Sequence, residues 1–372
     1  MMKKISVAVA AAMIAGAAAA ADVTLYGVVD LGFSYLTHRK TEGGDVRENS
    51  KSFSMESGQS AGSRWGLKGS EDLGNGLKVG FVLESGFSAD TGKLPDDRLF
   101  NREATISLSG SFGEVYFGRM GSMITDVGSV GWYGAVASPF GTGVGDYIEG
   151  HAAVMAVTER TDNTIAYMSP RFGGLQLSLQ YSMGNDNSNE NKPKTDRYIA
   201  VGADYQLGNF EIAGLIDYKN KKSDAIDTDK LADAFTFNLA ANYDCGFAKS
   251  FISAQYFKDV SALHWQSLDS YEEDNRLISY KGYGVNIGVD IPAFGGDFLA
   301  SVGYADGDKR EAKEKIGDIT IYSALVGYFY PLSKRTSLYA AAGMTSEKTK
   351  LDSGSTSKDR LYQVMGGITH TF

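Results

Sequence analysis

The stretch "SRWGLKGSEDLGNGLKVGFVLESGF" at residues 63–87 predicts two β-strands joined by a turn that contains glycine and asparagine. Side chains alternate between the two faces of a strand, so every second residue shares a face. The apolar face of this hairpin carries Trp65, Leu67, Leu77, Val79 and Phe81, and the charged face carries Arg64, Lys68, Lys78 and Glu84. A soluble hairpin buries its apolar face in a core, so the fold depends on which face points inwards.

The same alternation recurs along almost the whole chain, whereas helical periodicity is scarce. It predicts sixteen strands, which span residues 23–36, 61–69, 77–88, 99–109, 114–120, 159–169, 175–184, 196–207, 210–220, 232–244, 247–259, 278–292, 297–306, 316–331, 337–348 and 358–372. The composition agrees, because the chain has 21 tyrosines and 45 glycines but 6 prolines. Aromatic residues favour strands, and glycine serves turns.

Short and long connections alternate between these strands. The short ones are residues 70–76, 110–113, 170–174, 208–209, 245–246, 293–296 and 332–336. The long, polar ones are residues 37–60, 89–98, 121–158, 185–195, 221–231, 260–277, 307–315 and 349–357. All short turns then lie at one end of the sheet and all long loops at the other, which is typical of an antiparallel meander.

Closing such a sheet removes the two bare edges that sixteen strands would otherwise leave. Side chains cannot fill a barrel of this width, so its centre is a water-filled channel lined by the charged face of each strand. The apolar face then meets the membrane. The sequence therefore predicts an all-β fold, a 16-stranded antiparallel transmembrane β-barrel, with Trp65 and Leu67 facing outwards and Arg64 and Lys68 facing the lumen.

The first residues predict export. Lys3 and Lys4 precede a short, alanine-rich apolar stretch that ends before Asp22, which describes a signal peptide of residues 1–21. Residues 22–372 then form a single domain. Loss of the two lysines changes the formal net charge from −9 to −11, and this acidity argues against nucleic acid as a partner.

No pattern in the sequence predicts catalysis, a cofactor or a metal site. The four histidines, His38, His151, His264 and His370, lie far apart, and none has metal-ligand spacing. A protease or lipase would need a Ser/His/Asp arrangement, and no motif supports one. The acidic long loops leave open the binding of divalent cations between lipopolysaccharide groups at the cell surface.

Six stretches resemble a known family: "VTLYGVVDLGF" (23–33), "SRWGLKGSEDLGNGLKVGFVLE" (63–84), "FNREATISLSGSFGEVYFGR" (100–119), "RTDNTIAYMSP" (160–170), "YFYPLSKRTSLYAAAG" (328–343) and the terminal "GGITHTF" (366–372). They are similar to the general diffusion porins of the Gram-negative outer membrane, in particular those of betaproteobacteria. The resemblance implies a homotrimer, with the third long loop folded into the lumen. It also implies passive diffusion of ions and small hydrophilic solutes across the outer membrane.

The resemblance further implies a narrow point of the channel with arginines on one wall. Arg64, Arg102 and Arg160 match these wall arginines by their motifs. Lys68 shares the face of Arg64, and Arg119 lies where its strand runs into the third loop. Carboxylates on the loop opposite would complete a transverse electric field across the channel.

The third loop, residues 121–158, offers the carboxylates of Asp126, Asp146 and Glu149. It reads "SPFGTG" at 138–143, whereas enterobacterial porins carry a glutamate between the proline and the phenylalanine. Which of the three acids faces the wall arginines therefore stays open.

Ion preference and substrate range are the remaining questions. Charge at the narrow point outweighs charge beyond a Debye length of ~8–10 Å, so the wall arginines favour a slight anion preference over the acidic balance of the whole chain. A substrate-specific channel for a sugar or an organic anion is an alternative, in which Trp132, Tyr133 and Tyr147 would stack on the solute. A barrel that merely anchors a surface protein would need larger loops.

Overall fold

A computed structural model of the chain describes residues 23–94, 98–145, 150–184, 196–221, 232–263 and 278–372. The predicted signal peptide, residues 1–21, lies outside the described residues, and its cleavage stays a prediction. The described residues form seventeen antiparallel strands in one sheet. They are β1 (Thr24–Glu42), β2 (Asp45–Ser57), β3 (Arg64–Gly74), β4 (Leu77–Gly86), β5 (Glu103–Gly110), β6 (Gly113–Gly121), β7 (Arg160–Met168), β8 (Leu175–Ser182), β9 (Arg197–Leu207), β10 (Phe210–Asn220), β11 (Ala234–Asp244), β12 (Lys249–Val260), β13 (Ile278–Ala293), β14 (Gly296–Glu311), β15 (Glu314–Pro331), β16 (Thr336–Leu351) and β17 (Thr356–Thr371).

Strand β1 closes the sheet into a barrel. Along one edge it pairs with β17, from Val28 opposite Thr371 to Glu42 opposite Ser357. Along its other edge, its second half pairs with β2 and its first five residues pair with β3. Because β2 and β3 follow one another along the same edge, they occupy one strand position. The sheet is therefore a closed barrel with sixteen strand positions, and the predicted fold class is confirmed.

The two faces of the barrel wall differ in polarity, as β10 illustrates. Ile216 is 43% exposed on the outer face, whereas the neighbouring Asp217 is 7% exposed on the inner face and accepts a hydrogen bond from Thr236. In the hairpin of residues 63–87, Leu77 is exposed and Glu84 is buried. An apolar outer face and a polar inner face suit a barrel that stands in lipid and encloses water.

Three of the predicted long loops consist mostly of strand. Residues 37–60 contain the end of β1 and all of β2. Residues 307–315 contain the end of β14 and the start of β15, with a turn at Ala312 and Lys313, both of which have positive φ. Residues 349–357 contain the end of β16 and the start of β17.

The loop prediction was wrong there because these stretches are mostly polar on both faces, with Phe53 and Met55 on β2 as the main exceptions. Arg39 and Lys40, for example, are adjacent on β1, and both are exposed. Beyond the apolar band of the barrel, water lies on both sides of the wall, so polar side chains no longer alternate with apolar ones. The backbone ladder continues without that alternation.

The strands differ in length around the barrel. β13 to β17 have 16 to 18 residues and β1 has 19, whereas β5 to β8 have 8 or 9. At about 3.3 Å per residue, a difference of eight residues is about 25 Å along the strand. One side of the wall is therefore tall and the other is short.

The described part of the segment between β6 and β7 (residues 122–159, of which 122–145 and 150–159 are described) packs against the inner face of the wall. It contains a short helix, α1 (Tyr133–Ala137), and a 3-10 turn at His151–Ala153. Its apolar side chains form three clusters with inner-face residues of the wall, such as Tyr133 with Leu215 and Phe140 with Leu325. The buried apolar core thus lies between this segment and the wall. In the part of the chain that the structure describes, no helix has the length and apolarity to cross a membrane.

Candidate functional site

One buried carboxylate organises two of the predicted wall arginines. Glu84, near the end of β4, is 7% exposed. It accepts a hydrogen bond of 2.7 Å from Nε of Arg102 and one of 2.9 Å from the hydroxyl of Tyr26. Nε of Arg64, at the start of β3, lies 3.6 Å from the second carboxylate oxygen. Both guanidinium groups therefore share one counter-charge on the inner wall.

Asp162 is the shared counter-charge of a second arginine pair. Its carboxylate binds Arg98 over 2.7 Å and also forms an ion pair with Arg119. Arg119 in addition donates from Nε to the backbone carbonyl of Asn101 over 2.7 Å. The register between β6 and β7 shifts next to Arg119, and such a bulge re-aims side chains. The bulge lies where Arg119 and Asp162 meet.

A cavity of about 550 Å³ lies against these groups. Arg102, Arg119 and Arg160 line it together with Glu159, which binds Arg160 over 2.8 Å. The side chains of the three arginines are 15–20% exposed, so they are held in the wall and still reach solvent. Each guanidinium has five N–H donors, and donors remain for water and for passing anions.

The charges of this cluster do not cancel. Five arginines, Arg64, Arg98, Arg102, Arg119 and Arg160, are paired with three carboxylates, Glu84, Glu159 and Asp162. Within these ion pairs two positive charges are thus in excess, and the carboxylates of Glu103 and Asp126 lie outside them. We call the eight ion-paired residues the arginine cluster.

Lys68 lies apart from the arginine cluster. It is four residues further along β3 than Arg64 and is exposed. Its Nζ lies 5.1 Å from the ring centroid of Tyr26, a distance at which a cation and an aromatic face attract each other. Lys68 therefore adds positive charge to the same inner wall, on the side of the short turns.

Two glutamines fasten the segment of residues 122–159 to the wall. Gln180 on β8 accepts from the backbone N–H of Met123 over 3.0 Å and donates to the carbonyl of Gly121 over 3.1 Å. Gln255 on β12 accepts from the N–H of Ala156 over 2.7 Å and donates to its carbonyl over 2.9 Å. A primary amide presents one acceptor and two donors, so each glutamine bonds to the segment much as a neighbouring strand would.

A third attachment uses a carboxylate. Glu103 on β5 is 2% exposed. It accepts from the N–H of Ser129 over 2.9 Å, from the Ser129 hydroxyl over 2.6 Å and from the Thr105 hydroxyl over 2.8 Å. Glu103 therefore holds the segment in place beside the arginine cluster.

Of the three predicted loop acids, the structure describes Asp126. Its carboxylate accepts from the N–H of Thr142 over 3.1 Å and from the Thr142 hydroxyl over 2.5 Å, so it joins two arms of the segment. Asp126 is exposed and close enough to Arg64 for an electrostatic interaction between them. Asp146 and Glu149 lie outside the described residues.

The aromatic residues of the segment pack on the wall. Tyr133 is 0% exposed within a cluster that includes Leu215 and Ala200. Trp132 lies over Gly202, where an added Cβ would come within 2.6 Å of the indole ring. Neither ring is placed as a platform for a sugar, and Tyr147 lies outside the described residues.

The described histidines lie in unrelated surroundings. His38 contacts Glu48 and Asp359 near the long-loop end of the barrel. His151 is buried within the segment and contacts the carbonyl of Gly141. His370 contacts Thr336 near the short-turn end. His264 lies outside the described residues. Among the residues that the structure describes, no group of three or more His, Cys, Asp or Glu side chains could hold a metal ion.

Sequence reasoning alone did not find the partners of the wall arginines. Alternation placed Glu84 on the inner face, but its ion pairs depend on the register between β3 and β4. Glu159 directly precedes Arg160 in the sequence and binds it, and this proximity was a usable signal. Asp162 binds Arg98 and Arg119, which are distant in sequence. Gln180 and Gln255 carried no signal, because a glutamine on an inner face is ordinary.

An apolar outer wall around a charged, water-accessible interior defines the class of this molecule, a channel-forming membrane barrel. A family model described as Gram-negative porin matches residues 6–350, and the chain belongs to that family. It is a channel of the outer membrane.

Relatives and solved structures agree with this assignment. The chain is 32% identical over 366 residues to an outer membrane porin protein of Bordetella pertussis, covering 89% of this chain and 91% of the relative. It is 30% identical over 358 residues to outer membrane porin protein 32 of Delftia acidovorans, covering 93% and 90%. The structure of an anion-selective porin from Comamonas acidovorans matches with a TM-score of 0.68 and 26% identity, covering 95% of this chain and 100% of that one.

Replacing Glu84 by glutamine tests the electrostatic role of the arginine cluster. The amide keeps an oxygen acceptor for Arg102 but removes one negative charge. A unit charge about 7 Å from a passing ion in water is worth roughly 0.6 kcal/mol, which screening over a Debye length of ~8–10 Å cuts to about half. Because the charge acts with opposite sign on anions and cations, the two effects add to about threefold in the ratio of their populations. We expect Glu84→Gln to raise the anion-to-cation permeability ratio by about that factor, measured as a reversal potential. Glu71→Gln, at an exposed position on β3, is the matched control, and an unchanged ratio in Glu84→Gln would contradict the role.

Proposed function

We propose that this porin is a passive diffusion channel for ions and small hydrophilic solutes, with a slight preference for anions. The observation that carries the proposal is the arginine cluster, in which five arginines face three carboxylates beside a cavity of about 550 Å³. A fixed excess of positive charge beside a water-filled path attracts anions and repels cations. The likeness to a structure described as an anion-selective porin supports the same preference. No bond is made or broken in this process.

We propose further that residues 121–158 form the constriction loop. The three attachments through Gln180, Gln255 and Glu103 hold this segment against the wall. Among the predicted loop acids, Asp126 is the described candidate for the acidic side, since it is close enough to Arg64 for an electrostatic interaction. Asp146 and Glu149 remain candidates for the same role.

A substrate-specific channel for an organic anion is the second candidate. Three arginines lining one cavity would suit a carboxylate solute, because guanidinium groups bind carboxylates through paired hydrogen bonds. A sugar-specific channel is less favoured, since Trp132 and Tyr133 are used in packing. Saturation of the anion current at high solute concentration would distinguish a specific channel from a diffusion channel.

The proposed assembly is a homotrimer in contact with outer-membrane lipid. Phe33 on β1 and Phe53 on β2 are 50% and 71% exposed on the outer face and stack with centroids 5.6 Å apart. An exposed aromatic pair of this kind suits lipid or a neighbouring subunit. Interaction of the acidic loops with lipopolysaccharide through divalent cations is part of the same proposal.

Planar-bilayer recording of the purified protein under a salt gradient tests the proposed function. We expect conductance in steps of three and a reversal potential on the anion side. A reversal potential on the cation side would overturn the anion preference. It would indicate instead that the carboxylates of Asp126, Asp146 and Glu149 determine the ion selectivity. A folded trimer without conductance would overturn the diffusion channel itself.

A further inference from the structure

Arg102 lies in irregular backbone directly before β5, and its side chain runs along the wall. Its N–H donates to the carbonyl of Glu84 over 3.2 Å, and its Nε donates to the Glu84 carboxylate over 2.7 Å. The side chain crosses the end of β4 and approaches the residues that precede β3. The position of its guanidinium group therefore depends on what the side chain passes over.

Two glycines lie under this side chain. A Cβ atom added at Gly86, at the end of β4, would lie 3.1 Å from Cδ and 3.3 Å from Cγ of Arg102. A Cβ atom added at Gly62 would lie 2.9 Å from Nη1 and 3.6 Å from Cζ of the same arginine. The stem of Arg102 thus crosses one glycine, and its guanidinium group lies over the other. We call Gly62 and Gly86 the glycine slot.

The backbone does not require glycine at either position of the slot. Both residues have φ outside the left-handed region, so residues with side chains can adopt the same backbone conformation. The two positions differ from others on the wall because they lack a side chain, and Arg102 fills the space that is left. The contacts with Arg102 therefore account for the two glycines where the backbone does not.

Gly62 also contacts the second arginine that shares Glu84. Its carbonyl accepts a hydrogen bond of 2.8 Å from Nη1 of Arg64. Arg64 and Arg102 both pair with Glu84, and their like charges repel each other. Gly62 therefore binds one guanidinium group through its carbonyl and leaves room for the other beside its Cα. This arrangement keeps both groups on one carboxylate.

The glycine slot borders open space. Gly62 and Gly86 line the cavity of about 550 Å³ together with Arg102, and the arginine side chain is 17% exposed. A guanidinium group that left the slot would enter this cavity. It would keep its charge but would no longer lie against the wall on Glu84.

We propose that Gly62 and Gly86 are positioning residues of the channel, which hold the Arg102 guanidinium group on Glu84 and out of the ion path. A side chain in the glycine slot would move that charge towards the passing ions and narrow the path. This role rests on the proposed function, since it requires that ions pass the arginine cluster. Two uncharged residues would then determine how strongly the cluster acts on an ion.

Replacement of Gly62 by valine tests this role, because the valine side chain occupies the space of Nη1. The displaced group is the end of a flexible side chain, so the barrel should fold. We expect the guanidinium group to move into the cavity, which narrows the path and lowers the single-channel conductance. A decrease in its distance from the passing ion from about 7 Å to about 5 Å raises the anion-to-cation permeability ratio about twofold. Planar-bilayer recording under a salt gradient measures both quantities.

Arg102→Lys separates the position of the charge from its presence. Lysine keeps the charge but ends one atom earlier, at the place of Cζ, and leaves the space of Nη1 to the valine. The ratio and the conductance should therefore be equal in Arg102→Lys and in Gly62→Val/Arg102→Lys. A general loss of stability caused by the valine would affect both backgrounds, so this comparison isolates the contact with Arg102.

Gly80→Val is the matched control. Gly80 shares the inner face of β4 with Glu84, and an added Cβ would lie 2.9 Å from Oγ of Ser107. Among the residues that the structure describes, no charged side chain lies within 4 Å of that Cβ. The permeability ratio of this variant should therefore equal that of the wild-type protein. Gly86→Ala, which contacts the stem of Arg102, should shift the ratio in the same direction as Gly62→Val but by less.

Two results would overturn the proposal. Unchanged ratio and conductance in Gly62→Val would show that the glycine slot does not position Arg102. Equal shifts caused by the valine in the wild-type and the Arg102→Lys backgrounds would show that it acts without Arg102. Failure of the proposed anion preference is a different result, a cation-side reversal potential of the wild-type channel, and the shift caused by Gly62→Val can still be measured in that case.

Discussion

Joint replacement of Arg102 and Arg160 by glutamine is expected to abolish most of the proposed anion preference. The arginine cluster has two positive charges in excess, and this double variant removes both. At about threefold for each charge near the ion path, the anion-to-cation permeability ratio should fall by about tenfold. The ratio is measured from the reversal potential of the purified channel under a salt gradient.

The control for this prediction removes the same charge elsewhere. Lys334 and Arg335 lie in the exposed turn between β15 and β16, and Lys334→Gln/Arg335→Gln should leave the ratio unchanged. Salt provides a second check, because the Debye length shortens to about 3 Å at 1 M. The difference between the wild-type protein and the arginine variant should therefore shrink as the salt concentration rises. Equal shifts in both variants would show that the arginine cluster does not control selectivity.

Joint replacement of Gln180 and Gln255 by leucine should release the segment of residues 122–159 from the wall. Four backbone groups, on Gly121, Met123 and Ala156, would lose their side-chain partners. Leaving a buried polar group unpaired costs about 1–3 kcal/mol, so the total exceeds about 4 kcal/mol. We expect the segment to move into the channel water instead of keeping these groups buried.

Two measurements test whether the segment is released from the wall. Open-channel current noise should rise several-fold, because a mobile segment changes the width of the path. The midpoint of thermal unfolding in detergent should fall, because the apolar clusters beneath the segment are opened to water. Gln206→Leu is the control, since Gln206 bonds Glu211 at an exposed position. Quiet single-channel currents in the double variant would rule out the anchoring role of the two glutamines.

Alternation of residue types was sufficient to predict the barrel. Lipid outside and water inside act on every strand, so residues such as Ile216 and Asp217 must take opposite faces. This requirement is local and can be read from each strand separately. The closure of the sheet then follows from the cost of bare edges.

The alternation of apolar and polar residues did not predict the strands where the barrel extends beyond the membrane. β2 (Asp45–Ser57) was predicted as part of a loop because its residues 47–52 are all polar, so that only its end, with Phe53 and Met55, alternates. The same holds for the hairpin tip at Ala312 and Lys313. In these places the strands pair because the register of the neighbouring strand continues, and a single sequence does not reveal that register.

The candidate site was predictable as a set of charges but not as a set of pairs. Arg102 and Arg160 line one cavity. The pair of Arg102 with Glu84 depends on how neighbouring strands align, whereas Glu159 directly precedes Arg160 in the sequence. Asp126 illustrates the limit most clearly, because its carboxylate is bound to Thr142 within its own segment. No periodic pattern in the sequence indicates this contact between two residues of the same segment.

The unequal height of the wall determines what a large particle meets first at the cell surface. Among the residues that the structure describes, an antibody or a phage tail would touch the hairpin tips of the tall side, at residues 43–44, 312–313 and 352–355, before it came near the arginine cluster. None of those tips contributes a residue to the arginine cluster. Immune or viral selection can therefore alter the tips freely, while permeation through the channel is conserved.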